Sequence, residues 1–179
     1  MTDGRLTKLS VNSSVAQDRD WMECAIAEYE QPLLRYVQMF VKNAETARDI
    51  VQNTFMKMCE QQQPLESSQL KLWLFKVSRN GAIDVYRKER RMAGTELETN
   101  EVVGSRQAGP ADLVERQDTH SAVMDEIATL SANQQEVLRL RFQSEFSYQE
   151  IADVTGLTKS NVGVLLHTAI KTLKVQFDQ

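Results

Sequence analysis

Ser147-Tyr148-Gln149-Glu150-Ile151-Ala152-Asp153-Val154-Thr155-Gly156-Leu157-Thr158-Lys159-Ser160-Asn161-Val162 encodes a short helix, a glycine turn and the start of a second helix. Ser147 and Glu150 have the spacing of a capping box, in which a hydroxyl and a carboxylate satisfy each other's backbone N–H groups at a helix start. Ile151, Ala152 and Val154 follow as the apolar side of a two-turn helix. Gly156 supplies a position free of Cβ for the turn, and Thr158 caps the next helix. That helix sends Val162, Leu165, Leu166, Ala169, Ile170 and Leu173 inward at spacings of three and four. A short helix, a tight turn and a longer second helix are the layout of a DNA-binding helix-turn-helix.

The inward set fixes the outward one. Lys159, Ser160, Asn161, Gly163, Val164, His167 and Lys171 fall on the free face. The N-terminal end of such a helix enters the major groove, where Asn161 suits adenine and Lys159 suits guanine or a phosphate. The plainer alternative is a helical hairpin with a solvated face, and His167 read alone is a polar surface residue. Upstream, Ser131-Ala132-Asn133-Gln134 is another capping box, with Val137, Leu138 and Phe142 as the apolar face behind it.

Toward the N-terminus the pattern is again helical. Residues 1–15 are polar and aperiodic and are expected to be disordered. From Asp18 onward Trp21, Cys24, Ala25 and Tyr29 share a face, followed by Leu33, Leu34, Val37, Phe40 and Val41. Pro32 predicts a new helix start or a kink, and Asn43 closes the segment. Ala47, Ile50, Val51, Thr54, Phe55 and Met58 mark a second helix over about 44–61, ended by Gln61-Gln62-Gln63-Pro64. Ser67 or Ser68 caps a third helix running toward Arg91. In it Lys76, Arg79, Asn80, Ile83, Arg87, Arg90 and Arg91 form one stripe, opposite Leu70, Leu74, Val77 and Val85. Trp73 and Phe75 read as core beneath that charged face. Residues 93–115 hold Gly94, Gly104, Gly109 and Pro110 among acids, and read as a flexible linker. The expected fold is therefore all-α: a domain over 16–92, the linker, and a helix-turn-helix domain over 116–179.

Composition narrows the function. The 179 residues are 41% hydrophobic, enough for packed cores, and no run approaches the ~20 apolar residues of a membrane span. The N-terminus lacks a signal-peptide layout, so the chain is expected in the cytoplasm, without membrane insertion. Two isolated cysteines, expected to be buried free thiols, and two histidines offer no metal site; no cofactor is expected. The same poverty of chemical groups, with no glycine-rich phosphate loop, speaks against an enzyme. Net charge is −4, yet residues 66–93 carry seven basic side chains against three acidic ones. A local basic stripe on an acidic protein points to one surface that meets phosphate.

Two stretches carry a family resemblance. Ala47-Arg48-Asp49-Ile50-Val51-Gln52-Asn53-Thr54-Phe55 with Trp73-Leu74-Phe75-Lys76-Val77-Ser78-Arg79-Asn80-Gly81-Ala82-Ile83-Asp84-Val85-Tyr86-Arg87 resembles region 2 of bacterial extracytoplasmic-function sigma factors. Leu130-Ser131, Glu136-Val137-Leu138-Arg139-Leu140-Arg141-Phe142 and Phe146-Ser147-Tyr148-Gln149-Glu150-Ile151-Ala152 resemble their region 4. The resemblance implies that the helix over 44–61 docks on the β′ clamp helices of RNA polymerase core through Asp49, Gln52 and Phe55. It implies that Lys76, Arg79, Asn80, Asp84, Arg87, Lys88, Arg90 and Arg91 bind the melted minus-ten element of promoter DNA, where Asn80-Gly81 would loosen a turn into a pocket for a flipped base. The second domain, facing the β flap, would read the minus-thirty-five element with Lys159, Ser160, Asn161, Val164, His167 and Lys171. The tether leaves room for an anti-sigma factor to hold the domains together. One departure stands out: family members often carry a Thr-Val-Lys-Ser-Arg-like run where this chain has Ser160-Asn161-Val162-Gly163-Val164-Leu165, with fewer basic residues. A sigma-like decoy without DNA contact would be expected to lose the basic stripe, and a dimeric helix-turn-helix repressor would leave the first domain without purpose.

Overall fold

The computed structural model describes residues 6–41, 43–61, 65–92 and 126–177, without the side chains of 6–20, 67, 68, 176 and 177. Every regular element among them is a helix. The first module holds α1 (Leu6–Val37), α2 (Ala44–Cys59) and α3 (Ser67–Met92). The second holds helical residues 126–129 (α4), α5 (Ala132–Phe142), α6 (Tyr148–Thr155) and α7 (Lys159–Phe177). The stretch 93–115 read as a linker lies outside the described residues.

Helix α1 begins at Leu6, inside the stretch read as disordered; no proline or glycine occurs between Arg5 and Gln31 to interrupt it. It also continues through Pro32 instead of restarting there. The helix ends in tight turns after Val37, and Asn43 belongs to the next element: its side chain accepts from the Glu45 N–H at 2.8 Å and caps α2. The six positions expected to face inward from α2 (Ala47, Ile50, Val51, Thr54, Phe55 and Met58) are all buried. They meet Leu33 and Val37 from the end of α1, Val41 from the segment after it, and Leu70, Leu74, Phe75 and Ala82 from α3. Each fully buried leucine or phenylalanine contributes about 1.5–3 kcal/mol by leaving water.

Gly81 does not break α3. A Cβ there would stand 3.3 Å from the Ile50 Cγ2, so the glycine lets α2 and α3 approach closely. Its helix-interior cost of about 1 kcal/mol is offset by that packing, and no loosened turn forms at Asn80-Gly81.

In the second module both expected capping boxes are present, at Ser131 with Gln134 and at Ser147 with Glu150. Gly156 ends α6 in the left-handed region at φ +77°, and the Thr158 hydroxyl accepts from the Asn161 N–H at 3.2 Å to open α7. Phe142 is 60% exposed, not inward. The buried face of α5 is centred on Val137 and Leu140, and at 100° per residue Phe142 points well away from both. The cysteines are likewise exposed. Ala25, Tyr29 and Leu33 define the inner face of α1, and Cys24 falls off it. Cys59 ends α2, its thiol donating to the Met22 sulfur at 3.3 Å.

The modules are not separate bodies. Helix α3 packs on α6, and one apolar core runs from Ala25 in α1 to Leu166 in α7.

Candidate nucleic-acid interface and the contact that covers part of it

Three outward faces emerge from this packing. On α2, Asp49, Gln52 and Met56 are exposed, whereas Phe55 is turned into the core. Phe55 therefore positions the face from behind and does not stand on it.

On α3 the expected cationic stripe divides. Arg87, Lys88 and Arg91 are exposed at the C-terminal end, with Lys76, Asn80 and Asp84 exposed nearer the middle. Arg90 is half-buried: it donates to the Tyr86 hydroxyl at 2.9 Å and lies over that ring. Ile83, part of the stripe by spacing, is buried. Trp73 and Phe75 pack as core residues, Phe75 fully and Trp73 in part.

Arg79 is the exception among the cations. Its Nε donates to the Glu136 Oε1 at 2.6 Å and its Nη2 to Oε2 at 3.1 Å, a two-point grip across the modules. The Tyr36 hydroxyl donates to the same Oε1 at 2.6 Å. Glu136 is 1% exposed and Arg79 11%, so water is nearly excluded. Burial alone would lower the guanidinium pKa, but the hydrogen bonds and charge of Glu136 outweigh it and hold the pKa above its ordinary value. Burial first, then the Glu136 charge, pushes the Tyr36 phenol well above its usual range. Beside this triad Phe75 and Phe146 meet edge to face at 5.1 Å. The Lys71 ammonium donates to the Ser144 carbonyl and lies over the Phe146 ring. Glu145, in the left-handed region at φ +57°, turns the chain that delivers Phe146, and Arg141 donates to the Phe146 carbonyl at 3.0 Å.

Nothing in the sequence pointed to Tyr36, Lys71, Glu136 or Phe146 as a group. Phe146 does precede a capping serine, with Ile151 at the partner position of a hydrophobic staple, so its burial was the one readable sign.

On α7, Lys159, Ser160, Asn161, Val164, His167 and Lys171 are all exposed on one side, and Val162, Leu166 and Ala169 are buried on the other. The Tyr148 ring lies 3.7 Å from where a Cβ at Gly163 would stand, so α6 and α7 are closely apposed behind the free face.

Comparison with known proteins agrees with this layout. Residues 25–92 match sigma-70 region 2 and residues 120–173 match sigma-70 region 4. The RNA polymerase sigma factor YlaC of Bacillus subtilis is 30% identical over 158 residues, covering 87% of this chain and 91% of the relative. SigV of the same organism is 29% identical over 152 residues, covering 84% and 87%. Among solved structures, the sigma factor RpoE in complex with the anti-sigma factor NepR from Bartonella quintana superimposes with a TM-score of 0.63 at 25% identity, over 87% of this chain and 96% of that one. With both regions in order and a relative matched over nearly its whole length, the chain belongs to the extracytoplasmic-function sigma factors, a family of transcription initiation factors and not of enzymes.

Proposed function

We propose that this chain carries RNA polymerase core to promoters by dividing the work among its three faces. Asp49 and Gln52 on α2 meet the β′ clamp helices, with Phe55 fixing the helix beneath them. Arg87, Lys88 and Arg91, with Lys76, Asn80 and Asp84, hold the melted minus-ten strand. Asn161 and Val164 read the minus-thirty-five element, anchored by Lys159, Ser160, His167 and Lys171, while the second module faces the β flap. Arg79 joins the minus-ten contacts only once Glu136 has released it.

The observation that carries this reading is the free basic end of α3. It stands on a helix whose middle is locked into the core, so its charges are presented rigidly to a polyanion. Among the described residues no helix is long and apolar enough to cross a membrane, and the proposed site of action is the bacterial cytoplasm. RpoE was solved with an anti-sigma factor bound, and we extend that class of partner to this chain.

Run-off transcription with purified core polymerase tests the proposal. Arg87→Ala is expected to reduce open-complex formation and leave core binding intact, and Asp49→Ala with Gln52→Ala to do the reverse. Equal losses in both assays would undo the division; no initiation and no core binding by the native chain would end the reading altogether.

A further inference from the structure

Resting on that reading, we propose that Glu136, Arg79 and Tyr36 form a latch that closes the second module over α3 in the free chain, with Glu136 occupying the place of a nucleic-acid phosphate. Every hydrogen bond to the Glu136 carboxylate among the described residues comes from the first module. Among the described residues the carboxylate has no hydrogen-bond partner in its own module, and it lies buried where the two modules meet. The two-point grip of Arg79 on Glu136 is also the grip a guanidinium makes on a phosphate. Promoter DNA therefore offers Arg79 an exchange of one oxyanion for another.

Closure and promoter binding exclude each other. Packed helices lie about 8–10 Å apart, and α3 rests directly on α6. The minus-ten and minus-thirty-five elements are separated by roughly 25 base pairs, on the order of 85 Å at 3.4 Å each. The modules must part by tens of ångströms to reach both. Residues 93–125 reach at most ~115 Å at about 3.5 Å per residue, which suffices. The contact is also built to part. A buried ion pair adds little net stability over an apolar one, and both charges regain water when it opens. The rest of the contact is the apolar core in which Phe75 and Phe146 meet, edged by the Lys71 bond to the Ser144 carbonyl.

Energy transfer between dyes on the exposed Cys24 and on Lys174→Cys, in a full chain carrying Cys59→Ser, reads the closure directly. The free chain is expected to show high transfer, lost on adding core polymerase with a promoter fragment. Glu136→Gln is expected to lower transfer in the free chain already, and to raise run-off yield at limiting chain roughly 3- to 10-fold by enlarging the competent fraction. Lys71→Ala, a gentler change at the interface edge, is expected to lower transfer by a smaller amount. Low transfer in the native free chain, or native transfer in both variants with helicity intact, overturns the latch. Normal run-off with unchanged transfer rejects the latch and keeps the initiation reading. The expected transfer changes without any initiation would keep the closure and reject the initiation reading.

Discussion

Helices α3 and α7 each carry a free face proposed to meet nucleic acid, yet the two faces differ in chemistry. The end of α3 presents Arg87, Lys88 and Arg91, three exposed cations within five residues, against the one exposed carboxylate of Glu89. Helix α7 presents Ser160, Asn161, Val164 and His167, with Lys159 at its start, Lys171 and Lys174 toward its end, and no arginine. Charge recognises phosphate at long range and tolerates imprecise placement. A pattern of one amide, one hydroxyl and one small apolar side chain recognises base edges and works only if the helix is held at a defined angle. The first module can thus supply affinity and the second discrimination, and the second depends far more on how its reading helix is mounted.

The largest expected effect breaks the charged side of the comparison. Replacing Arg87, Lys88 and Arg91 together by alanine should weaken binding of the holoenzyme to a melted minus-ten strand by at least ~100-fold, since hydrogen bonds to charged groups contribute about 1.5–3 kcal/mol each. The salt dependence should flatten by about two units of log–log slope, at ~0.7 per phosphate on a single strand. Titration at several salt concentrations reads both, and an unchanged slope would show that these side chains do not meet phosphate.

Next is the uncharged side. Asn161→Ala should cost about 1–3 kcal/mol at a single base pair of the minus-thirty-five element and leave the salt slope untouched. Competition with singly substituted promoter duplexes measures it. A loss spread evenly over all sequences would move Asn161 into the class of backbone contacts and remove the contrast with α3.

Much of this contrast was legible in the residues. The capping boxes at Ser131 and Ser147, the turn at Gly156 and the outward set on α7 follow from local chemistry, because each needs only neighbours within a few positions. The inner face of α2 followed from periodicity for the same reason. Arg79 shows where that kind of reading stops: spacing gives the angle of a side chain around its helix, not what stands opposite. Its partner Glu136 is 57 residues away in another module, so a residue expected on a free stripe proved to be two-thirds of a buried grip shared with Tyr36. Gly81 is similar. A glycine in a helix reads as a weak point until the Ile50 methyl beside it is seen.

Because α7 needs a firm mount, Gly156→Ala should damage it out of proportion to its size. At φ +77° an added Cβ meets no neighbour within 4 Å, so the penalty is backbone strain alone, about 1–2 kcal/mol. Thermal unfolding of the full chain should show that loss. Minus-thirty-five discrimination should fall with it, while the salt slope set by α3 stays as it was. A variant that is destabilised yet fully discriminating would mean that the turn holds stability without aiming the helix.

The smallest effect separates the two capping boxes of the second module by pH. In the mount of α7, the Glu150 carboxylate accepts from the Ser147 N–H at 2.7 Å, and the Ser147 hydroxyl accepts from the Glu150 N–H at 3.2 Å. The Ser147 hydrogen bonds outweigh a small burial penalty, Lys71 adds a weaker attraction, and together they hold the Glu150 pKa below its ordinary value. A carboxylate whose pKa is lowered by folding adds stability that is fully present above its unfolded pKa of about 4.3 and is lost as pH falls through the lower folded value. The group is only partly buried at the surface, so screening keeps the contribution below ~1 kcal/mol. In the box that opens α5, Gln134 does the same work without a charge: its amide oxygen accepts from the Ser131 N–H at 3.0 Å. Glu150→Gln should therefore retain the cap and stability near pH 7, and remove part of the loss expected of the native chain as pH falls below about 5. Thermal midpoints across that range decide it. If native and variant curves fall in parallel, the acid sensitivity of the reading helix's mount lies in other carboxylates.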